Sequence, residues 1–353
     1  MSLPTTARAA ILTALNKPLS IDTIELPEQL DVGQVLVKVL YSGICGSQLG
    51  EIAGVKGPDK YLPHLLGHEG CGEVLTVGAG VSHVQKGDKV VMHWRPGNGI
   101  NAKPAMYRWN DQPLNAGLIT SFNNYAVVSE NRLTAISKTF DNQLAPLLGC
   151  AVTTGFGVVL NNAKLQIGES IAVFGAGGIG LNIIQAAAMV SAYPIIAIDT
   201  FAGKLDLAKQ LGATHLIDTS TSDAKEEIKK ILDSELLDVA IDNTGNTHVI
   251  ESCYQLTHSK GKIILVGVPK HDQDIRIHSL PLHFGKEITG SHGGESQPAS
   301  DIPRLIKLHR AGKLALKELI TDHFKLEDIN TAIEKMRNGS IRGRCLIHFE
   351  HSC

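Results

Sequence analysis

The chain has no surplus of charge of either sign: 33 lysines and arginines stand against 35 acids, a formal net charge of −2. That balance argues against nucleic acid or an anionic membrane surface as partner. It also has no C-x-x-C pair, and its six cysteines are scattered over 353 residues. Such cysteines read as ligands or buried thiols rather than a disulfide framework, so a cytoplasmic location is expected. Internal repeats and low-complexity tracts are absent, and the opening MSLPTTARAAILTALNK lacks the apolar core of a signal peptide. The hydrophobic fraction of 43% is ordinary for a soluble globular protein, and this length exceeds one small core, so two domains are expected.

One long stretch, Ile171–Ile198, lacks any charged residue. Its length would suit a membrane span, but its glycines, Pro194, Asn182, Gln185 and Ser191 fit a helix buried between sheet and neighbours better. The apolar run Ile171–Phe174 breaks at the turn Gly175-Ala176-Gly177-Gly178-Ile179-Gly180 and resumes as an Ala-rich helical pattern. A second run, Ile195–Ile198, ends at Asp199. This is a G-x-G-x-x-G turn between strand and helix, with an acid about 20 residues on, the fingerprint of a dinucleotide site. Gly175 permits the tight turn, Gly177 lets a pyrophosphate approach the backbone, and Gly180 lets the helix close on the sheet. Asp199 would accept from the adenosine ribose hydroxyls, selecting NAD and repelling the 2′-phosphate of NADP.

Taken in order, the first 40 residues alternate as strands: Ala9–Leu12, Leu19–Leu26 and Gln34–Leu40. Further short strands are expected at Glu73–Val77, Lys89–Met92 and Phe122–Val128. The segment from His93 to Gly117 holds both tryptophans, Trp94 and Trp109, with Arg95, Lys103 and Arg108, and its prolines and glycines read as a long structured loop. From Ile171 onward strand and helix patterns alternate as in a doubly wound parallel sheet. Helical patterns at Ile302–Ala311 and Leu326–Met336 and a closing strand, Arg344–Phe349, are read as returning to the first domain.

Three candidate metal ligands, Cys45, His68 and Cys150, each sit in a Gly-flanked turn able to aim a side chain into a cleft. Two thiolates and an imidazole with an open fourth position suit catalytic zinc, the set found in alcohol dehydrogenase. Spacing alone does not single them out. The other cysteines, Cys71, Cys253, Cys345 and Cys353, are expected to be buried inert thiols.

Gly43-Ile44-Cys45-Gly46-Ser47, Gly67-His68-Glu69-Gly70, Leu148-Gly149-Cys150 with Thr153-Thr154-Gly155, and the glycine turn with Asp199 occur in that order. Over essentially its whole length the chain resembles the zinc-dependent medium-chain alcohol dehydrogenases. The resemblance implies an α/β fold: a GroES-like, mostly-β catalytic domain (1–150, with 294–353 returning to it) and a Rossmann NAD-binding domain (151–293). It implies one catalytic zinc on Cys45, His68 and Cys150, with Glu69 an acid beside the metal and Ser47 the hydroxyl that begins proton removal. It further implies NAD contacts at Thr154, Gly178, Ile179, Lys204, Val266, Val268 and Arg342, and substrate-pocket positions at His93, Trp94 and Arg95. The expected reaction is hydride exchange between an alcohol and NAD, zinc acidifying the alcohol or polarising the carbonyl. Pairing into a homodimer or homotetramer is implied by the same analogy.

The chain departs from the family in three ways. The four cysteines of a second, structural zinc are missing after Gly87-Asp88-Lys89-Val90, so one zinc per chain is expected. Gln48 stands where the family usually has an aspartate supporting the zinc-ligating histidine, and Gly50 where some members have a relay histidine. Arg95, Lys103 and Arg108 suggest a small-molecule alcohol that is secondary, polyol, sugar-like or anionic. The alternative is a relative that keeps NAD for regulation, or for epimerase or lyase chemistry without net redox; retention of all three ligands and Ser47 argues against a non-catalytic role.

Overall fold

The computed structural model describes residues 3–351, so Cys353 lies outside the described residues. Two compact units emerge: 1–150 with 297–309 and 320–353, and 151–296 with 310–319. The peptide Arg310–Leu319 therefore lies with the second unit although the chain on both sides of it belongs to the first.

The first unit is built on two sheets. Strand Gln34–Gly43 is the hub of the larger one, pairing antiparallel with Glu69–Val77, Tyr125–Ser129 and Arg344–His348. Its valines at 35, 37 and 39 are fully buried with Val74, Val90, Met92 and Val128, as period-two patterning requires. The last strand, Arg344–His348, also pairs in parallel with Ile320–Lys325, a strand the sequence pattern did not reveal. A short helix, Gly46–Ile52, follows the hub strand and buries Ile52 against Ile329 and Ile333 of helix Ile329–Arg337.

The tryptophan-containing segment is not a loop throughout. Tyr107–Trp109 and Gln112–Leu114 form a hairpin that extends the smaller sheet beyond strand Ser20–Glu25. Asn110 and Asp111 take positive φ at its two-residue turn, as hairpin connections of this length demand. Tyr107 is buried in the core, and the Trp109 indole N–H donates to Asp22 at 2.9 Å. Earlier in the segment Ile100 is held by Glu130, whose carboxylate accepts from its N–H and from the backbone of Ser82 and His83 outside the segment.

The second unit is a six-stranded parallel sheet. Its strands run, in sequence order, third, second, first, fourth, fifth, sixth, the doubly wound order of dinucleotide-binding domains. Its first strand, Ile171–Phe174, is buried on both faces, which explains an unbroken apolar run instead of alternation. That strand is where the order reverses, and in such sheets ligands bind at the carboxyl end of this switch point. Helix Gly178–Met189 follows, almost wholly buried through Ala187, and no helix among the described residues is long and apolar enough to cross a membrane.

Candidate active site

Cys45 caps the N-terminus of helix Gly46–Ile52, His68 follows the Gly67 turn, and Cys150 follows the buried turn Ala145–Gly149. The larger sheet brings them together. Gly67 has φ +93°, and a Cβ there would meet Ser121 Oγ at 2.4 Å, so only glycine fits this turn. Gly149 is equally constrained, its absent Cβ leaving room for the Met92 carbonyl. As a result one ligand atom from each of Cys45, His68 and Cys150 lies within 4.8 Å of the others.

This donor set fits zinc. In a tetrahedral site two sulfurs stand about 3.8 Å apart, and the Cys45 and Cys150 sulfurs are separated by 3.9 Å. His68 Nε2 is buried with no hydrogen-bond partner, a polar atom that a metal would satisfy. Hydrogen bonding with Cys150 holds the Cys45 thiol well below its ordinary range against the opposing effect of burial, with further help from His68 and Arg344. A thiol so poised is a ready thiolate ligand. The thiols outside the cluster behave oppositely: burial pushes Cys71 up to about 12 and Cys345 to about 11, and raises Cys253 well above its usual value.

Two expected neighbours of the metal differ in exposure. Ser47 is exposed on the first turn of the helix that Cys45 caps. Glu69 is wholly buried and forms an ion pair with Arg344, itself 3% exposed. A Cβ at Gly43 would lie 2.6 Å from Glu69 Oε1, so that glycine makes the space in which the pair sits. Arg344 escaped the sequence reading; a lone cation at the start of the apolar strand RCLIH was the available signal.

In the second unit, Gly175 adopts φ +96° and its N–H donates to the Ile198 carbonyl at 2.8 Å, joining the turn to the next strand. A Cβ on Gly180 would collide with the Gly175 carbonyl at 2.0 Å, whereas one at Gly177 would meet nothing. The backbone at Gly177 thus faces open space at the start of a 12-residue helix, where free N–H groups favour a phosphate. Beside it lies a cavity of about 610 Å³ lined by Gly175, Gly177, Asp199, Lys204 and Thr244, among others. Asp199 accepts from the backbone of Ala176 and Phe201, with Lys204 Nζ 3.9 Å away. Thr154 Oγ1 is buried without a partner, while Val268 is exposed. These residues suit a dinucleotide. Arg342 is an exposed residue of the first unit.

Residues 31–138 match the alcohol dehydrogenase GroES-like domain, and residues 178–310 the zinc-binding dehydrogenase domain. An S-(hydroxymethyl)glutathione dehydrogenase of Synechocystis sp. is 34% identical over 97% of this chain and 100% of its own. The chain belongs to the zinc-type medium-chain dehydrogenase family. Among solved structures, an alcohol dehydrogenase zinc-binding domain protein from Burkholderia ambifaria superposes with a TM-score of 0.88 at 29% identity, covering 98% of this chain and 99% of that one. Benzyl alcohol dehydrogenase from Acinetobacter calcoaceticus gives 0.87 at 28%, with the same coverage.

The substrate positions expected of a family member divide. His93 is fully buried, Nδ1 bonded to the Arg95 carbonyl and Nε2 to Thr134 Oγ1, and burial lowers its pKa to about 4. It therefore has no free polar atom for a substrate and acts as a brace for the segment that follows. The Trp94 ring stands edge-on to His68 at 6.5 Å, with the Arg95 guanidinium 5.9 Å over the Trp94 ring. Of the other two cations, Arg108 pairs with Glu25 on the neighbouring strand of the smaller sheet, and exposed Lys103 is held through its carbonyl by Gln34. Neither lines the cavity beside His68. Arg132, unmarked by any motif, donates to the Trp94 carbonyl and is the second cation beside Arg95.

Proposed function

We propose that this protein is an NAD-dependent zinc alcohol dehydrogenase whose substrate is an alcohol bearing an anionic group. The observation that carries the reaction class is the convergence of Cys45, His68 and Cys150 around a buried, unpartnered imidazole nitrogen. Cys45, His68 and Cys150 would hold the metal, and the Ser47 hydroxyl would accept a hydrogen bond from the substrate hydroxyl and begin its deprotonation, its own proton passing to the solvent to which Ser47 is exposed. Arg344 supplies the counter-charge of buried Glu69, the acid beside the ligands that could approach the metal as an alternative ligand. In the second unit Asp199 and Lys204 receive the adenosine ribose, the Gly177 backbone the pyrophosphate, and Thr154, Val266 and Val268 the nicotinamide. When bound, zinc would supply a Lewis acid for the alcohol oxygen and NAD a hydride acceptor.

The anionic substrate is supported by Arg95 and Arg132, whose charges are close enough to act on one another next to Trp94. Glutathione adducts, named for the Synechocystis relative, carry carboxylates of this kind. A catalytic domain of 1–150 with 294–353 and a NAD-binding domain of 151–293 are supported by the two compact units, which share most of those boundaries. A homodimer or homotetramer is supported by exposed Leu280, Leu282 and Phe284, which precede the edge strand Glu287–Gly290. A cytoplasmic location is supported by free thiols at five buried cysteines.

The test is metal content of purified protein together with NADH formation from paired neutral and carboxylated alcohols. About one zinc per chain and a preference for the carboxylated member, lost in Arg95→Met, are expected. Protein without zinc sinks the reaction class, and a preference for the neutral alcohol sinks the substrate class.

A further inference from the structure

We propose that Glu51 is a positioning residue of the metal centre, taking over the task of the carboxylate that this chain lacks at position 48. The inference rests on the metal reading above. Gln48 is 3% exposed, and both ends of its amide are engaged: Oε1 accepts from the Gly67 N–H at 2.7 Å, and Nε2 donates to Glu51 Oε2 at 2.9 Å. Only one orientation of the amide serves both partners, because the N–H must meet an acceptor and the carboxylate a donor. The three groups form a line from Glu51 through Gln48 to the backbone immediately before His68.

The line joins two ligand-bearing segments. Gln48 and Glu51 lie on helix Gly46–Ile52, which Cys45 caps, and Gly67 is the left-handed turn that aims His68. The φ of +93° at Gly67 is held by its N–H bond to Gln48, and a charged acceptor on the far side of the amide strengthens that bond. Among the described residues no cation pairs with Glu51, so its charge is directed to the amide and to the space in front of it.

That space is a cavity of about 270 Å³ lined by Gln48, Glu51, Asp59, His64, Gly67 and His68. Its walls are mixed, with Leu65, Leu66 and Ile119 beside the polar side chains, and it is roomy enough for water to link Glu51 to the histidine ring. Asp59, the other acid there, is already paired with His64 at 2.9 Å. Glu51 is the carboxylate left to support His68. A ligating histidine commonly gains orientation and basicity from a carboxylate behind it, and loss of that support costs 10–100-fold in metal affinity.

The experiment is zinc affinity by chelator competition on the full chain, with the absorption spectrum of the cobalt-substituted protein as a second readout. Glu51→Ala suits the site because alanine preserves a helix, and the urea midpoint of metal-free protein checks the fold. Expected are zinc binding weakened roughly 10–100-fold, an altered cobalt spectrum, and a fall in kcat with the KM for NAD unchanged. Glu51→Gln, which keeps an acceptor but not the charge, falls between. Placing the acid at the family position, Gln48→Asp in the Glu51→Ala background, restores affinity to within a few-fold. Wild-type protein that binds zinc, with Glu51→Ala binding it equally well and giving the same spectrum, overturns the role of Glu51 alone. Wild-type protein that takes up no zinc overturns the proposed function and this inference with it.

Discussion

Removing Arg344 tests whether the buried pair behind the metal site is held by its charge balance. In Arg344→Met the hydrocarbon volume is largely kept, but Glu69, wholly shielded from solvent, loses its counter-ion. Stripping one partner from a buried pair costs about 3–5 kcal/mol, chiefly the desolvation of the charge left behind. Both tryptophans, Trp94 and Trp109, lie in the first unit, so their fluorescence follows unfolding of that unit alone. This matters because a chain of two units need not unfold in one step. With a urea m-value of about 2 kcal/mol/M, the midpoint of metal-free protein should fall by about 2 M. Glu69→Gln with Arg344→Met removes both charges and should recover more than half of the loss, giving a coupling above about 1 kcal/mol in a double-mutant cycle. If Arg344→Met unfolds within about 1 kcal/mol of wild type, or the cycle shows no coupling, charge compensation is not what Arg344 provides and the argument fails.

Three further outcomes follow from the site. Asp199→Asn removes the charge and keeps only one of the two oxygens that receive the Ala176 and Phe201 N–H groups; the NADP-to-NAD ratio of kcat/KM should rise at least about tenfold, about 1.4 kcal/mol, and an unchanged ratio would remove Asp199 from cofactor selection. His93 has a folded pKa of about 4 against 6.5 when unfolded, so the unfolded state binds the extra proton. Its contribution to stability is complete above pH 6.5 and is lost as pH falls toward 4, about 3 kcal/mol in all; urea midpoints across that window should slope less in His93→Gln than in wild type. All five thiols are buried, but only Cys45 is held well below its ordinary range, so alkylation after chelation should label Cys45 ahead of Cys71, Cys253 and Cys345, whose thiols burial pushes up. Peptide mapping by mass spectrometry reads the difference, and early labelling of Cys71 would contradict it.

The dinucleotide turn was legible because everything that defines it is contiguous. Strand Ile171–Phe174, the glycines, helix Gly178–Met189 and Asp199 follow one another, and each glycine answers a local backbone demand. The metal ligands were legible as residue types in Gly-flanked turns, but their meeting within 4.8 Å depends on pairings across the larger sheet. Three things only the tertiary structure decided. Strands of three residues, Tyr107–Trp109 and Gln112–Leu114, are too short to carry a period, so the hairpin and the diversion of Arg108 to Glu25 were hidden. Arg344 reaches Glu69 from the far end of the chain, since the closing strand returns to the hub strand Gln34–Gly43. Gln48 was recognised in sequence as a departure, but that its amide links Glu51 to the turn before His68 depends on how a helix and a loop pack. Backbone conformation is a local property that a few residues can specify, whereas the partner of a buried charge is chosen by whichever distant strand the fold lays beside it.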